Sequence, residues 1–269
     1  VTNPFLWLEI RIRASEKRLW VIALFFLISV LLIGGGILAT AVVDKHGSLI
    51  PGELGMAMSY ALLFWHGATI IVLAPLASAG RISQEREQRT LPALVNTSVN
   101  PSKIAWGKLY AAWIFILWLS SLVLPFLGIA ALWGGLPIWK MLSFLLVNII
   151  VSMVIAAIAL GFSGVMRRSL TAYLVTGSFM LAWMLVLPIL GSIGVQLCRS
   201  LDADSVRDLL MYVCFYSNPF YPGILIVSEG MELEIREIVR QVGYCFSVWL
   251  ILAWLGVRMA IRGLKKEVY

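Results

Sequence analysis

The chain has 269 residues, of which 61% are hydrophobic and 13% charged, and a net charge of +7. A soluble domain carries about 25% charged residues to cover its surface, so this composition excludes a water-soluble globule. The apolar runs are long and continuous, which excludes a β-barrel of short alternating segments; with every backbone N–H and C=O needing a partner inside the protein, an all-α membrane protein is predicted.

In chain order, Asn3 and Pro4 start a helix in which Phe5, Leu8 and Ile12 share one face, with Glu9, Arg13, Glu16 and Lys17 beside it. Six runs near the span length of about 20 residues follow, at 19–43, 57–79, 104–132, 141–165, 170–197 and 243–257. The first is too long for a signal-peptide core and is read as a retained span; Gly34–Gly36 within it mark a flexible or closely packed stretch. The second run holds His66 and the fourth Asn148. Both are candidates to line a substrate path, and interhelical hydrogen bonding is the plainer alternative.

Between the second and third runs lies GRISQEREQRTLPALVNTSVNPSKIAWGKL, residues 80–109. Arg81, Glu85, Arg86, Glu87 and Arg89 form a dense charged helix continuing the second run. Thr90 followed by Pro92 suits a new helix start, and Leu91, Leu94 and Val95 give that helix an apolar face. Residues 96–101 break it, and Lys103 and Lys108 anchor the return to the membrane. A short amphipathic helix flanked by charges is either a docking element or a helix resting on lipid headgroups.

The stretch 196–242 is too apolar for a solvated loop and too broken to span. Asp204 or Ser205 caps a helix with Val206, Leu209, Leu210 and Val213 aligned. Tyr216, Asn218, Pro219 and Pro222 sit in a sharp break, and 232–242 reads as a further helix. The freed backbone groups of such a break must lie near water or against other helices. The break is therefore a candidate outer gate or a rigid lid.

Lys and Arg give the orientation. Fifteen of the 21 basic residues fall in the alternate segments 1–18, 81–108, 166–169 and 258–269, while nine of the 14 acidic residues fall on the other side. This puts both termini in the cytoplasm and makes the basic balance a topology signal rather than a nucleic-acid footprint. The run interiors contain no Asp, Glu, Lys or Arg, so an ion-coupled pump is not indicated. There is no GxxxxGK[ST] loop, no HExxH and no GxSxG, hence no catalytic or metal residues are assigned. Cys198, Cys214 and Cys245 lack metal spacing; a Cys198–Cys214 disulfide on the outer side is chemically permitted, with buried free thiols the alternative. Energy for any work must come from another subunit.

The 80–109 segment resembles the coupling segment of ABC type-2 exporter permeases. That family's run is a Glu-rich stretch, Gly-Thr-Leu-Glu, Leu, a Thr-Pro break, and Gly-Lys entering the next span. Glu85, Glu87, Thr90, Leu91, Leu94, Thr97, Pro101, Gly107 and Lys108 keep the pattern; Arg89, Pro92 and Ser98 depart from it at the usual Gly, Glu and Pro. The resemblance extends along the chain and implies a single permease domain. Its parts are an interfacial elbow helix (1–18), a coupling segment (81–103) and an outer segment of short or re-entrant helices (196–242). It also implies a second permease copy or homologue, a substrate path along their interface, and cytoplasmic ABC ATPase subunits that hold the ATP and Mg. On that reading this chain itself is expected to bind no cofactor and no nucleic acid. Docking is then expected from Glu85, Arg86, Glu87, Arg89, Thr90, Leu91 and Leu94, in the bacterial inner membrane and for outward transport. The competing expectation is a non-transporting ABC-type module that transmits ATPase work to an outer partner.

Overall fold

The computed structural model describes residues 4–43, 51–92, 99–200, 204–227 and 235–266. These residues form helices without strands. Six stretches are long and apolar enough to cross a membrane: Leu19–Thr40, Gly52–Glu87, Pro101–Leu132, Ile138–Val165, Ser169–Arg199 and Val239–Lys265. They are spans 1 to 6 below.

Helix α1 (Pro4–Ser15) precedes α2 (Lys17–Val43), which carries span 1. Span 2 is α3 (Pro51–Ser78) continued by the short α4 (Arg81–Glu87). Span 3 is α5 (Pro101–Ser121) and α6 (Leu124–Leu132). Asn100 caps α5 by accepting the Ser102 N–H at 3.0 Å, with Pro101 in the first turn. Span 4 is the unbroken α7 (Ile138–Val165). Span 5 joins α8 (Ser169–Leu181) to α9 (Leu187–Ser200) through a π-helical turn, Ala182–Val186. Outside the spans lie α10 (Asp204–Leu210), a second π turn (Met211–Tyr216) and α11 (Tyr221–Val227); α12 (Ile235–Lys265) carries span 6.

Span 4 is the hub. In its most apolar window 78% of residues are buried, against 22–44% in the other spans. Lipid tails give no hydrophobic drive between helices, so small residues that let backbones touch decide the packing. Spans 4 and 6 meet this way. A Cβ added at Gly161 would lie 2.6 Å from the Gly256 carbonyl oxygen, and one at Gly164 would lie 2.7 Å from the Ala260 Cα. Of the glycine triplet in span 1, Gly34 faces Met58, while Gly35 and Gly36 meet nothing within 4 Å.

Two expectations change. The separate helix over 232–242 and the short last run over 243–257 are one helix from Ile235 onward, because Gly243 alone, with open space around it and no proline nearby, does not interrupt the hydrogen-bond ladder. Helix α1 also turns two of its three charges inward, Arg11 staying exposed. Glu9 and Arg13 are buried, while Trp7, Leu8 and Ile12 are exposed. An apolar exterior is what a lipid surround favours, and the charges find partners inside.

Candidate functional site: the charged end of the bundle

Helix α4 is held at both ends. At its start, the Ser163 hydroxyl oxygen of span 4 accepts the Ile82 and Ser83 N–H groups at 2.9 and 3.1 Å. At its finish, Arg89 N–H donates to the Arg86 carbonyl at 3.1 Å and Thr90 N–H to the Glu85 carbonyl at 2.9 Å. This paired pattern closes a helix when the residue between adopts a left-handed conformation. Arg89 does so, with φ of 58°. The sequence comparison had put Arg89 at a position usually held by Gly; the backbone supplies the reason, since only Gly adopts this conformation without strain.

The side chains of α4 face the chain itself. Lys108, 1% exposed, donates to Glu9 at 2.7 Å and to Glu85 at 2.5 Å, joining α1, α4 and α5. Arg81 grips Glu16 with two parallel bonds of 2.7 and 3.1 Å. Arg86 donates to the carbonyls of Met166 (2.6 Å) and Gly164 (3.1 Å), where α7 ends. The exposed Glu87 accepts from the Ser169 N–H and hydroxyl at 3.0 and 2.6 Å, capping α8. Arg13 donates Nη2 to the Ala77 carbonyl at 3.1 Å and, at the limit of 3.5 Å, to the Lys108 carbonyl. Burial, helped by the charge of Arg81 and opposed by Glu9 and Glu16, pushes the Arg13 guanidinium down to about 9. It therefore stays charged at neutral pH as a strained cation.

One expectation is corrected here, and the surroundings of several expected docking residues become clear. Lys108 does not reach for the membrane surface; it is the centre of a buried ion cluster. Glu85, Arg86 and Glu87 are bonded to this chain's own groups, and Arg89 remains outward. The Thr90 hydroxyl donates back to the Glu85 carbonyl at 3.2 Å; the expected helix after it lies, from position 93 on, outside the described residues. Leu91 is fully buried against Ile82, Ile104, Leu109 and Leu160, so in this conformation it presents no apolar docking contact. Leu94 lies outside the described residues. Beside α4, a cleft of about 760 Å³ is lined by Arg86, Glu87, Arg167, Arg262 and Lys266.

His66 and Asn148 do come together, at mid-bundle. His66 Nδ1 lies 3.2 Å from the Asn148 amide nitrogen and Nε2 lies 2.9 Å from the Ser120 hydroxyl, linking spans 2, 3 and 4. With the amide so oriented, Nδ1 accepts and Nε2–H donates. The cavity beside His66 is about 10 Å³, room for at most one water.

The outer break is also wired in. Pro188 lacks the N–H that would bond the Met184 carbonyl one turn back; span 5 widens into its π turn there, and Asn218 Nδ2 donates to that carbonyl at 3.2 Å. Carbonyls of the break itself are met from span 6. Cys245 donates its thiol to Tyr216 O at 2.5 Å, and Trp249 Nε1–H donates to Ser217 O at 3.2 Å. Pro219 and Pro222 are buried, and Phe220 rests against Gly67 at mid-length of span 2. Cys198 and Cys214 are buried free thiols, so no disulfide joins them.

Comparison with protein-family models matches residues 4–255 to the ABC-2 family transporter protein model. The chain belongs to that family. It is thus an integral membrane permease, the membrane subunit of an ABC transporter. No curated protein matches it.

Some of the residues that organise this permease carry no sequence motif. Ser163 and Ser120 are single hydroxyls inside apolar runs, and nothing local distinguishes a cap from a packing serine. The Gly161–Gly164 and Gly256–Ala260–Gly263 spacings were readable as small-residue contact faces. Glu9, Arg13 and Glu16, at spacings of four and three, mark one charged helix face, which the structure turns toward the bundle.

Proposed function

We propose that this permease is the membrane-spanning subunit of an ATP-driven exporter. Two permease subunits, identical or homologous, form the path between them in the inner membrane of a bacterium; two separate ABC ATPases dock on the basic end, where both termini lie in the cytoplasm. The observation that carries the reading is the wiring of α4. One seven-residue helix is joined by Glu85 to α5 and, through Lys108, to α1; by Ile82 and Ser83 to α7; and by Glu87 to α8. A push on the 82–97 segment therefore reaches the ends of several spans at once.

The permease's own interior offers little passage at mid-depth, since His66 bonds both Ser120 and Asn148 and the space beside it is water-sized. This favours a route between subunits. The outward Arg89 and the chain that follows Leu91 are the contact with the ATPase, and the cleft lined by Arg167, Arg262 and Lys266 offers it a basic rim. Rim charges set orientation and on-rate more than affinity. Gentle purification from native membranes should bring down a soluble ATPase, and Leu94→Asp in the reconstituted complex should leave ATP hydrolysis running while transport stops. Background ATPase activity in the purified complex, or normal transport by a well-expressed Leu94→Asp variant, would refute the reading.

A further inference from the structure

A groove of about 290 Å³ lies between α1, the start of α2 and α5. Its walls include Leu19, Trp20, Ile114, Phe115 and Trp118, and Arg13 is among the residues that line it. Arg13 is 3% exposed. Its Nη2 reaches two backbone carbonyls, but Nε and Nη1 are buried without a hydrogen-bond partner among the described residues. Three N–H bonds of a buried guanidinium are therefore idle, a costly arrangement in a folded chain. The neighbouring carboxylates do not relieve it, because Glu9 is bonded to Lys108 and Glu16 to Arg81.

We propose that this groove is a binding site for an anionic phospholipid of the bilayer, with the phosphate on the idle N–H groups of Arg13 and one acyl chain along Trp20, Phe115 and Trp118. Guanidinium matches a phosphate with paired N–H donors. Apolar walls select an amphiphile over a free ion. The groove also opens beside a surface made for lipid, since Trp7, Leu8 and Ile12 of α1 and Trp20 of α2 are exposed. Tryptophan is a usual partner of the headgroup boundary. A lipid bound here would brace α1 against α5, next to the Lys108 cluster that joins both to α4. The site is independent of the cargo and of any ATPase.

The groove contains its own reporters. The full chain, with no ATPase present, is placed in nanodiscs of phosphatidylcholine, and tryptophan fluorescence is followed as phosphatidylglycerol or phosphatidylcholine with brominated acyl chains is exchanged in. The expected result is saturable quenching by the brominated phosphatidylglycerol at a mole fraction at least tenfold below that needed for the brominated phosphatidylcholine. Arg13→Met should abolish the preference, and Arg13→Lys should keep part of it. Trp118→Phe, which leaves the charge in place, should remove most of the saturable component, so the answer does not hang on the folding of one variant. Equal quenching by the two lipids, an undiminished preference in Arg13→Met, or an undiminished component in Trp118→Phe would overturn the proposal. Loss of the preference on adding millimolar inorganic phosphate would likewise overturn it, by assigning the site to a free anion.

Discussion

Lys108→Met isolates what the buried ion cluster contributes. Lys108 is 1% exposed and is the shared partner of Glu9, itself buried, and Glu85, whose side chain is 27% exposed. Removing the shared cation leaves the buried Glu9 carboxylate and the partly exposed Glu85 carboxylate without it. Breaking a buried ion pair by deleting one partner costs about 3–5 kcal/mol, whereas replacing the whole group with neutral residues is often close to neutral. At about 2–4 °C per kcal/mol for a chain of this size, the single variant should lose roughly 6–20 °C of apparent melting temperature. The triple variant Lys108→Met, Glu9→Gln, Glu85→Gln should regain at least half of that. Glu9→Gln alone should cost less, because Lys108 keeps Glu85. The three buried cysteines supply the assay, since a thiol-reactive fluorophore reports their exposure as the detergent-solubilised chain is heated. If the triple variant is no more stable than the single one, the cost is lost packing around Lys108 and not uncompensated charge.

Two further stability predictions test backbone arguments. Arg89→Gly should raise stability by about 1 kcal/mol, because a left-handed residue other than Gly carries a penalty of roughly 1–2 kcal/mol; an unchanged or lower melting temperature would count against the strain at this helix end. Asn218→Ala should cost about 1–3 kcal/mol by orphaning the Met184 carbonyl, and adding Pro188→Ala, which restores a backbone N–H to that carbonyl, should cancel much of the loss. Strict additivity of the two changes in a double-mutant cycle would break the link between the proline and the asparagine.

The spans were legible because their signal is local. Length and apolarity alone find a stretch that crosses a bilayer, and the six runs match the six spans to within five residues at each end, except that the second continues to Glu87 and the last to Lys265. The pairing of α4 was not legible. The residues Glu85, Arg86 and Glu87 look like a solvated docking face, because a charge run names no partner. Their partners lie 23 positions away at Lys108 and 78 to 82 positions away at Gly164, Met166 and Ser169. The burial of Leu91 was not legible for a similar reason. An apolar residue in a short helix must be covered, and sequence periodicity does not say whether by a partner or by the chain itself. Arg89 is the reverse case. Its mismatch with the family's usual Gly is visible in the sequence, and its left-handed backbone explains that Gly.

These contacts also say how the permease should move. Span 2 is bonded to spans 3 and 4 through His66, Ser120 and Asn148 at mid-depth. Its α4 end is bonded to the same two spans through Lys108 and Ser163. Span 4 is close-packed on span 6 through glycines, and span 6 holds the outer break through Cys245 and Trp249. Each joint is buried, and packed interiors switch between discrete arrangements instead of deforming smoothly. Spans 2, 3, 4 and 6 with the outer break should therefore turn as one body when α4 is pushed, so that opening takes place against the partner subunit. Spin labels on the exposed positions Val72 of span 2 and Leu250 of span 6 should keep their separation across the ATP cycle, while distances from Leu250 to the partner subunit change. A cycle-dependent Val72–Leu250 distance with a constant distance between subunits would place the moving joint inside the chain, and the mid-depth cluster around His66 would then be the first place to look for it.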